Sequence, residues 1–82
     1  MRLANKIKKL RSIKNQTQIE IAKKLRISQT YLNIIENGIT IPSASIVKRI
    51  AEFYDISHSE LLNLAIEDKI DKEKIKIERN YE

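Results

Sequence analysis

Apolar residues recur along most of the chain at the three- and four-residue spacing of an amphipathic helix, and this pattern predicts five helical segments. In the first segment Leu3, Ile7 and Leu10 share one face, and the opposite face is basic. Asn15 then stands where a residue with positive φ is expected to end the helix.

The second segment begins with a capping box. The Thr17 hydroxyl can accept from the Glu20 amide, and the Glu20 carboxylate can reach back to the start of the helix. Ile21, Ala22 and Leu25 supply its apolar stripe. These signals predict a short amphipathic helix that starts directly after Thr17.

The third segment follows almost at once, because only Arg26 and Ile27 separate it from the second. Ser28 is its N-cap candidate, and the helix is predicted to run to Glu36, after which Gly38 can take the left-handed conformation that ends it. A link of two residues forces the two helices to cross at a steep angle, which is the geometry of a helix-turn-helix.

Two further helices and a charged tail complete the pattern. Pro42 and Ser43 start the fourth helix, and a second capping box from Ser57 to Glu60 starts the fifth. The predicted buried stripe of the fourth helix consists of Val47, Ile50, Ala51 and Tyr54. Eleven of the sixteen residues from 67 to 82 are charged. We therefore expect a compact all-α domain over residues 1–66, followed by a charged tail, residues 67–82, that forms a helix or a short strand.

Composition limits both the fold and the chemistry. The chain has 82 residues, of which 41% are hydrophobic, with one Gly, one Pro and no Cys. Scarce Gly and Pro disfavour a many-stranded β fold, and the missing Cys excludes disulfide scaffolds and thiolate metal sites. No metal-ligand spacing, nucleophile–base pattern or phosphate-binding Gly loop occurs in the sequence. We expect no enzyme activity, no metal and no cofactor.

Hydropathy and length bear on location and ligands. The longest apolar run is Leu64 to Ile66, and the first residues lack an apolar signal region, so a cytoplasmic protein without a membrane span is expected. A chain of this length leaves no room for a separate ligand-sensing domain, and no small-molecule ligand is expected.

Charge is divided unevenly along the chain. The formal net charge is +5. Residues 1–49 carry eleven Lys and Arg against two acids, which gives +9, whereas residues 50–82 carry five bases and nine acids, which gives −4. A strongly cationic half suggests a polyanionic partner, either nucleic acid or an anionic membrane.

An ordered set of short motifs runs from the second predicted helix to the fifth. TQxxxA begins at Thr17, IS ends at Ser28, YLxxIENG covers residues 31–38, and the pairs Pro42-Ser43 and Leu61-Leu62 follow. This set resembles the λ-repressor-like, Cro/C1-type helix-turn-helix proteins of the XRE family over residues 3–64. The resemblance implies a compact five-helix domain that binds double-stranded DNA through its third helix.

The chain departs from the family pattern at several positions. Arg26 stands in the turn where the family often has Gly, and Gln16 stands where it often has a hydrophobic residue. Ile34 occupies a reading-face position that is usually polar, and the loop of residues 39–41 lacks the basic residues often found there. These departures bear on the base contacts rather than on the fold.

Short polar side chains near the start of the third helix are the candidates for base contacts. A helix fits the major groove, where each base pair has a distinct pattern of donors and acceptors. Gln29 and Asn33 lie four residues apart and can bond adenine in a bidentate manner, and the Thr30 methyl can contact a thymine methyl. The predicted base-reading residues are Ser28, Gln29, Thr30 and Asn33. The alternative is that these side chains are only hydrated.

The phosphate contacts are predicted from the resemblance and from helix electrostatics. Gln18 follows the Thr17 cap, where free amides and the helix dipole favour an anion, and the family has a phosphate-contacting Gln there. Asn37 also matches a position that approaches phosphate, and Arg26 is the first choice among the remaining cations. The predicted set is Thr17, Gln18, Arg26 and Asn37. The alternative for Gln18 is ordinary hydration.

Arg11 and Glu36 match positions that form a buried or half-buried ion pair between the first and third helices in several family members. We interpret the pair as structural. The alternative is that Arg11 contacts phosphate.

The predicted function is that of a sequence-specific DNA-binding transcriptional regulator, a repressor of the phage, mobile-element, restriction–modification or toxin–antitoxin type. Two alternatives remain open. One is an antitoxin-like protein-interaction module, and the other is a membrane-surface domain that uses the basic, amphipathic first helix.

A homodimer on an inverted-repeat operator is predicted, because one reading helix contacts only a few base pairs. The dimer contact is expected from Phe53 onward. If the tail continues as a helix, one apolar stripe is formed by Ile66, Ile70, Ile77 and Tyr81. Residues 74–78 alternate with the period of a strand instead, which would pair with the same strand of a second copy, and a frayed tail is the third possibility.

Overall fold

The computed structural model describes the backbone of residues 1–80 and the side chains of residues 1–74. Over these residues the chain forms five helices and no strand: α1 (Arg2–Ile13), α2 (Gln18–Leu25), α3 (Gln29–Glu36), α4 (Ala44–Tyr54) and α5 (His58–Asn80). The predicted all-α, five-helix architecture is confirmed. The tail is helical as far as Asn80, so the helical alternative applies there. Tyr81 and the side chain of Ile77 lie outside the described residues.

Side-chain hydroxyls cap the N-termini of the two helices of the helix-turn-helix. The Thr17 Oγ1 accepts from the Glu20 amide at 3.2 Å, and the Ser28 Oγ accepts from the Tyr31 amide at 3.0 Å. Both predicted caps are therefore present. At the start of α5 the Ser57 hydroxyl lies 2.8 Å from the Ser59 hydroxyl, in place of the predicted capping box.

The first four helices end in the same way, in a residue with positive φ. These residues are Asn15 (φ 57°), Arg26 (φ 58°), Gly38 (φ 70°) and Asp55 (φ 53°). In each case the amide of the positive-φ residue donates to the carbonyl three residues before it. The amide of the next residue donates to the carbonyl five residues before that one. This is the Schellman pattern, which satisfies carbonyls that a helix end would otherwise leave free. Arg26 thus adopts the conformation for which the family often supplies Gly.

Apolar side chains from all five helices form one core. The complete predicted stripe of α4 is buried, as are the predicted stripe of α2 and two of the three predicted residues of α1. Tyr31 and Leu10 are half-buried and pack against the core. The buried hydrophobic residues are Leu3, Ala4, Ile7, Ile21, Ala22, Leu25, Leu32, Ile35, Val47, Ile50, Ala51, Tyr54, Leu61 and Ala65.

Helix α5 passes residue 66 without interruption and joins the start of α1. The carboxylate of Asp68 accepts from the amides of Arg2 and Leu3 at 2.9 and 3.0 Å. The first turns of the predicted tail therefore pack against the domain. The boundary at residue 66 and a separate role for residues 67–82 stay predictions. Within the described part of the chain, no helix is long and apolar enough to cross a bilayer.

Candidate nucleic-acid interface

The α2–α3 pair is fixed by a turn of three residues. Arg26 reverses the chain in its left-handed conformation, Ile27 packs against the core, and Ser28 caps α3. The Arg49 Nη1 donates to the Leu25 carbonyl at 2.9 Å and so adds a bond at the end of α2. Because Leu32 and Ile35 hold the inner face of α3 in the core, its opposite face is directed to solvent.

The predicted base-reading residues lie together on that outer face. Ser28, Gln29, Thr30 and Asn33 are all exposed. A shallow open groove is lined by Gln18, Gln29, Thr30 and Asn33, so the start of α2 and the start of α3 share one surface. The Ser28 hydroxyl accepts from the Tyr31 amide, which leaves its own proton free to donate.

An ion pair between the half-buried Arg11 and the buried Glu36 lies beneath this surface. The Arg11 Nε donates to the Glu36 Oε2, and the Arg11 Nη2 donates to the Glu36 Oε1, both at 2.8 Å. Glu36 is only 2% exposed, and the fork of two parallel bonds fixes both side chains. Hydrogen bonding to Glu36 raises the pKa of Arg11 above its ordinary value. The predicted structural pair between α1 and α3 is confirmed.

Other polar groups complete the surroundings of this pair. The Arg11 Nη1 donates to the backbone carbonyl of Gln16 at 3.0 Å, a bond that any residue at this position can accept. The Tyr54 hydroxyl lies 3.5 Å from the Gln16 Oε1. Burial, and secondarily the charge of Glu36, raises the pKa of Tyr54.

A chain of amide hydrogen bonds leads from Glu36 to the outer face of α3. The Gln18 Nε2 donates to the Glu36 Oε1 at 3.2 Å, the Asn33 Nδ2 lies 3.5 Å from the Gln18 Oε1, and the Asn37 Nδ2 donates to the Asn33 Oδ1 at 3.0 Å. A carboxylate can only accept, so Glu36 fixes the direction of every later bond in the chain. The orientation of the Gln18 and Asn33 amides follows from one buried charge.

This amide chain is one feature that the sequence did not predict. Gln18 and Asn33 are fifteen residues apart, and they meet only because of the angle at which α2 and α3 cross. The available signal was indirect, since Asn33 and Asn37 lie four residues apart on one helix and can bond each other.

The predicted phosphate-contacting residues fall into two places. The start of α2 carries the exposed Thr17 and the half-buried Gln18. The amide chain connects Gln18 through Asn33 to Asn37, which is exposed at the end of α3. Arg26, also exposed, stands at the opposite end of α2. Arg26 is therefore separated from Gln18 by the whole length of α2, which rises by about 1.5 Å per residue.

The part of the chain that forms this surface, residues 1–49, is cationic. Glu20 and Glu36 are the two acids among residues 1–49, and Glu36 is buried against Arg11. Lys23 and Lys24 are exposed on α2. Two other cations have internal partners: Arg49 at the Leu25 carbonyl, and Lys6, whose Nζ lies 3.7 Å from the Glu60 Oε1.

The fold and this site together define a small helix-turn-helix domain. Residues 4–67 match the family model described as a helix-turn-helix domain, and the chain belongs to this family. The resemblance to XRE-type proteins is thereby confirmed.

Two similar proteins are HTH-type transcriptional regulators that are themselves uncharacterised. One, from Methanocaldococcus jannaschii, is 34% identical over 59 residues, which cover 72% of this chain and 89% of that protein. The other, YazB of Bacillus subtilis, is 41% identical over 56 residues, which cover 68% of this chain and 81% of that protein. No solved structure shows a significant match to the chain.

Proposed function

We propose that the protein is a sequence-specific regulator of transcription that binds double-stranded DNA and acts as a repressor by occupying its operator. The observation that carries the proposal is the polar row of Gln29, Thr30 and Asn33, exposed on α3 within the cationic half of the chain. Membership of the helix-turn-helix family supports it, as does the description of both relatives as HTH-type transcriptional regulators. A phage, mobile-element, restriction–modification or toxin–antitoxin context belongs to the same proposal.

In this proposal α3 enters the major groove with its first turn toward the bases. Gln29 has the donor and acceptor needed to bond adenine N6 and N7 together, and the Thr30 methyl can contact the thymine methyl. The side-chain amide of Asn33 already bonds Gln18 and Asn37, but it keeps one N–H and one oxygen lone pair that can bond a base. Ser28 offers its free hydroxyl proton.

Contacts to phosphates hold the helix in register. Thr17 and Gln18 stand at the start of α2, where the first amides and the helix dipole favour an anion. Asn37 extends this contact at the end of α3. Arg26 reaches the backbone from the other end of α2. Such contacts set affinity and orientation, whereas the bases set specificity.

A homodimer on an inverted repeat is part of the proposal. Ile66 and Ile70 are 47% and 51% exposed on the outer face of α5, one helical turn apart, and they offer an apolar contact to a second copy. A two-fold dimer places two reading helices about 10 base pairs apart, centre to centre, on one face of the duplex.

Selection from random duplex DNA, followed by sequencing, tests both parts. We expect an enriched inverted repeat and a gel shift of that duplex by the purified protein. Enrichment of no sequence, or binding that depends on salt alone and not on sequence, would contradict the reading role of α3. A single half-site in place of the repeat would contradict the dimer while leaving base reading intact.

A further inference from the structure

Asp68 is one of two buried charged side chains in the described part of the chain, and the reading surface does not use it directly. Only 2% of this residue is exposed. Its Oδ1 accepts from the Arg2 amide at 2.9 Å, and its Oδ2 accepts from the Leu3 amide at 3.0 Å. These amides belong to the first turn of α1, where no helical carbonyl can bond them. Met1 precedes the helix without a side-chain cap, so Asp68 caps α1 from α5.

Neighbouring residues of α5 hold the same region. The Arg2 guanidinium is hydrogen-bonded to the Asp71 carboxylate, and its Nε lies 3.4 Å from the Glu67 Oε2. The Lys72 Nζ donates to the Ile39 carbonyl at 3.4 Å. One stretch of α5, residues 67–72, therefore contacts both the start of α1 and the loop that follows α3.

The start of α1 in turn covers the end of α3. A Cβ atom placed on Gly38 would lie 2.6 Å from the Met1 Cγ and 3.9 Å from the Ala4 Cβ, so the first turn of α1 packs directly on the residue that ends α3. Farther along α1, Arg11 holds Glu36. The end of α3 is thus held against α1 at two places, and Asp68 fixes the first of them.

We infer that Asp68 is a positioning residue for DNA reading: by capping α1 it holds Met1 against Gly38 and so fixes the orientation of α3. The inference rests on the proposed function, since it concerns the same reading helix. It assigns a role in recognition to a residue beyond position 66, outside the predicted DNA-binding domain.

The test compares Asp68→Ala with Asp71→Ala, which makes the same change of charge at an exposed partner of Arg2. Both variants are titrated on the selected duplex and on a random duplex, at a temperature where circular dichroism shows each to be folded. Loss of one well-aligned base contact corresponds to about tenfold or more in affinity. We expect that loss for Asp68→Ala on the selected duplex only, and we expect Asp71→Ala to bind both as the parent protein does.

Amide hydrogen exchange supplies a readout that needs no DNA. The amides of Gly38 and Ile39 bond to the carbonyls of Ile35 and Ile34 at the end of α3. We expect both to exchange faster in Asp68→Ala than in Asp71→Ala. Asp68→Asn keeps the side-chain volume and one acceptor oxygen, so its losses should be intermediate, and it serves if the alanine variant does not fold.

Several results would overturn the inference. Parent-like binding and exchange in Asp68→Ala would do so, as would an equal loss of affinity on both duplexes or an equal effect in Asp71→Ala. Failure of both Asp68 variants to fold would show that the role is purely structural. If the parent protein selects no sequence, it is the proposed function that fails. The exchange rates at Gly38 and Ile39 then still decide whether Asp68 fixes the end of α3.

Discussion

Replacing Arg26 by Gly should raise the stability of the domain and lower its affinity for DNA. Arg26 has φ 58° and ψ 43°, a left-handed conformation that costs a residue with a Cβ about 1–2 kcal/mol. Glycine removes that cost but loses more backbone entropy on folding, which offsets about 0.5–1 kcal/mol. The net gain is on the order of 0.5–1 kcal/mol. For a domain of this size each kcal/mol raises the melting temperature by about 4–8 °C.

The same substitution removes the cation proposed to contact phosphate at this end of α2. Affinity should fall alike on selected and random duplexes, and the slope of log K against log salt should flatten by about one unit. Calorimetry gives the melting temperature, and fluorescence anisotropy at several salt concentrations gives the slope.

Two controls separate the effects. Arg26→Ala keeps the left-handed strain, so it should lose the DNA contact without the gain in stability. Asp55→Gly removes the same left-handed strain at the end of α4, and it should raise stability without changing the salt slope. A lower melting temperature for Arg26→Gly would refute the strain argument, and an unchanged salt slope would refute the phosphate contact.

Three further changes probe the site and the fold. Gln29→Ala should cost about 1–3 kcal/mol on the selected duplex and little on random DNA, with relaxed preference at one base pair on repeated selection; equal losses on both duplexes would rule out base reading. Glu36→Ala leaves the half-buried Arg11 without its carboxylate partner, and urea denaturation should show a loss of about 1–3 kcal/mol, whereas an unchanged stability would mean that water replaces the carboxylate fully. A chain that ends at Ile66 should melt well below one that ends at Lys74, because only the latter keeps the Asp68 cap and the other contacts of residues 67–72 with α1 and the loop after α3; similar melting temperatures would contradict the importance of this stretch.

Local signals in the sequence were sufficient to predict most of the helices. The Thr17 and Ser28 caps, and the helix ends at Asn15 and Gly38, depend on chemistry within a few residues, so the sequence contains what is needed. The stripe of α4 follows from helical spacing alone, because every residue on it points into one core. The Arg11–Glu36 pair came from the family resemblance, since nothing local connects α1 to α3.

Features that depend on how distant elements cross could not be predicted. Asp68 is 66 residues from Arg2, and in the sequence it is one acid among many in a charged tail. The alternation of residues 74–78 suggested a strand paired with a second copy, but such a strand depends on that copy for its backbone bonds, whereas a helix that continues α5 satisfies its own backbone. Arg26 carries no turn signal of its own, so its left-handed conformation was detectable only through the Gly that the family often has there.

The amide chain from Glu36 also determines which of the reading residues can be replaced easily as related proteins evolve. Asn33 bonds a neighbour on either side, so replacing it disturbs Gln18 and Asn37 as well as any base it reads. Gln29 and Thr30 have exposed side chains without such internal bonds in the described part of the chain, and the fold does not depend on their identity. When gene copies of such a protein separate, new operator preferences should therefore arise first at Gln29 and Thr30, with Asn33 as the slower-changing position.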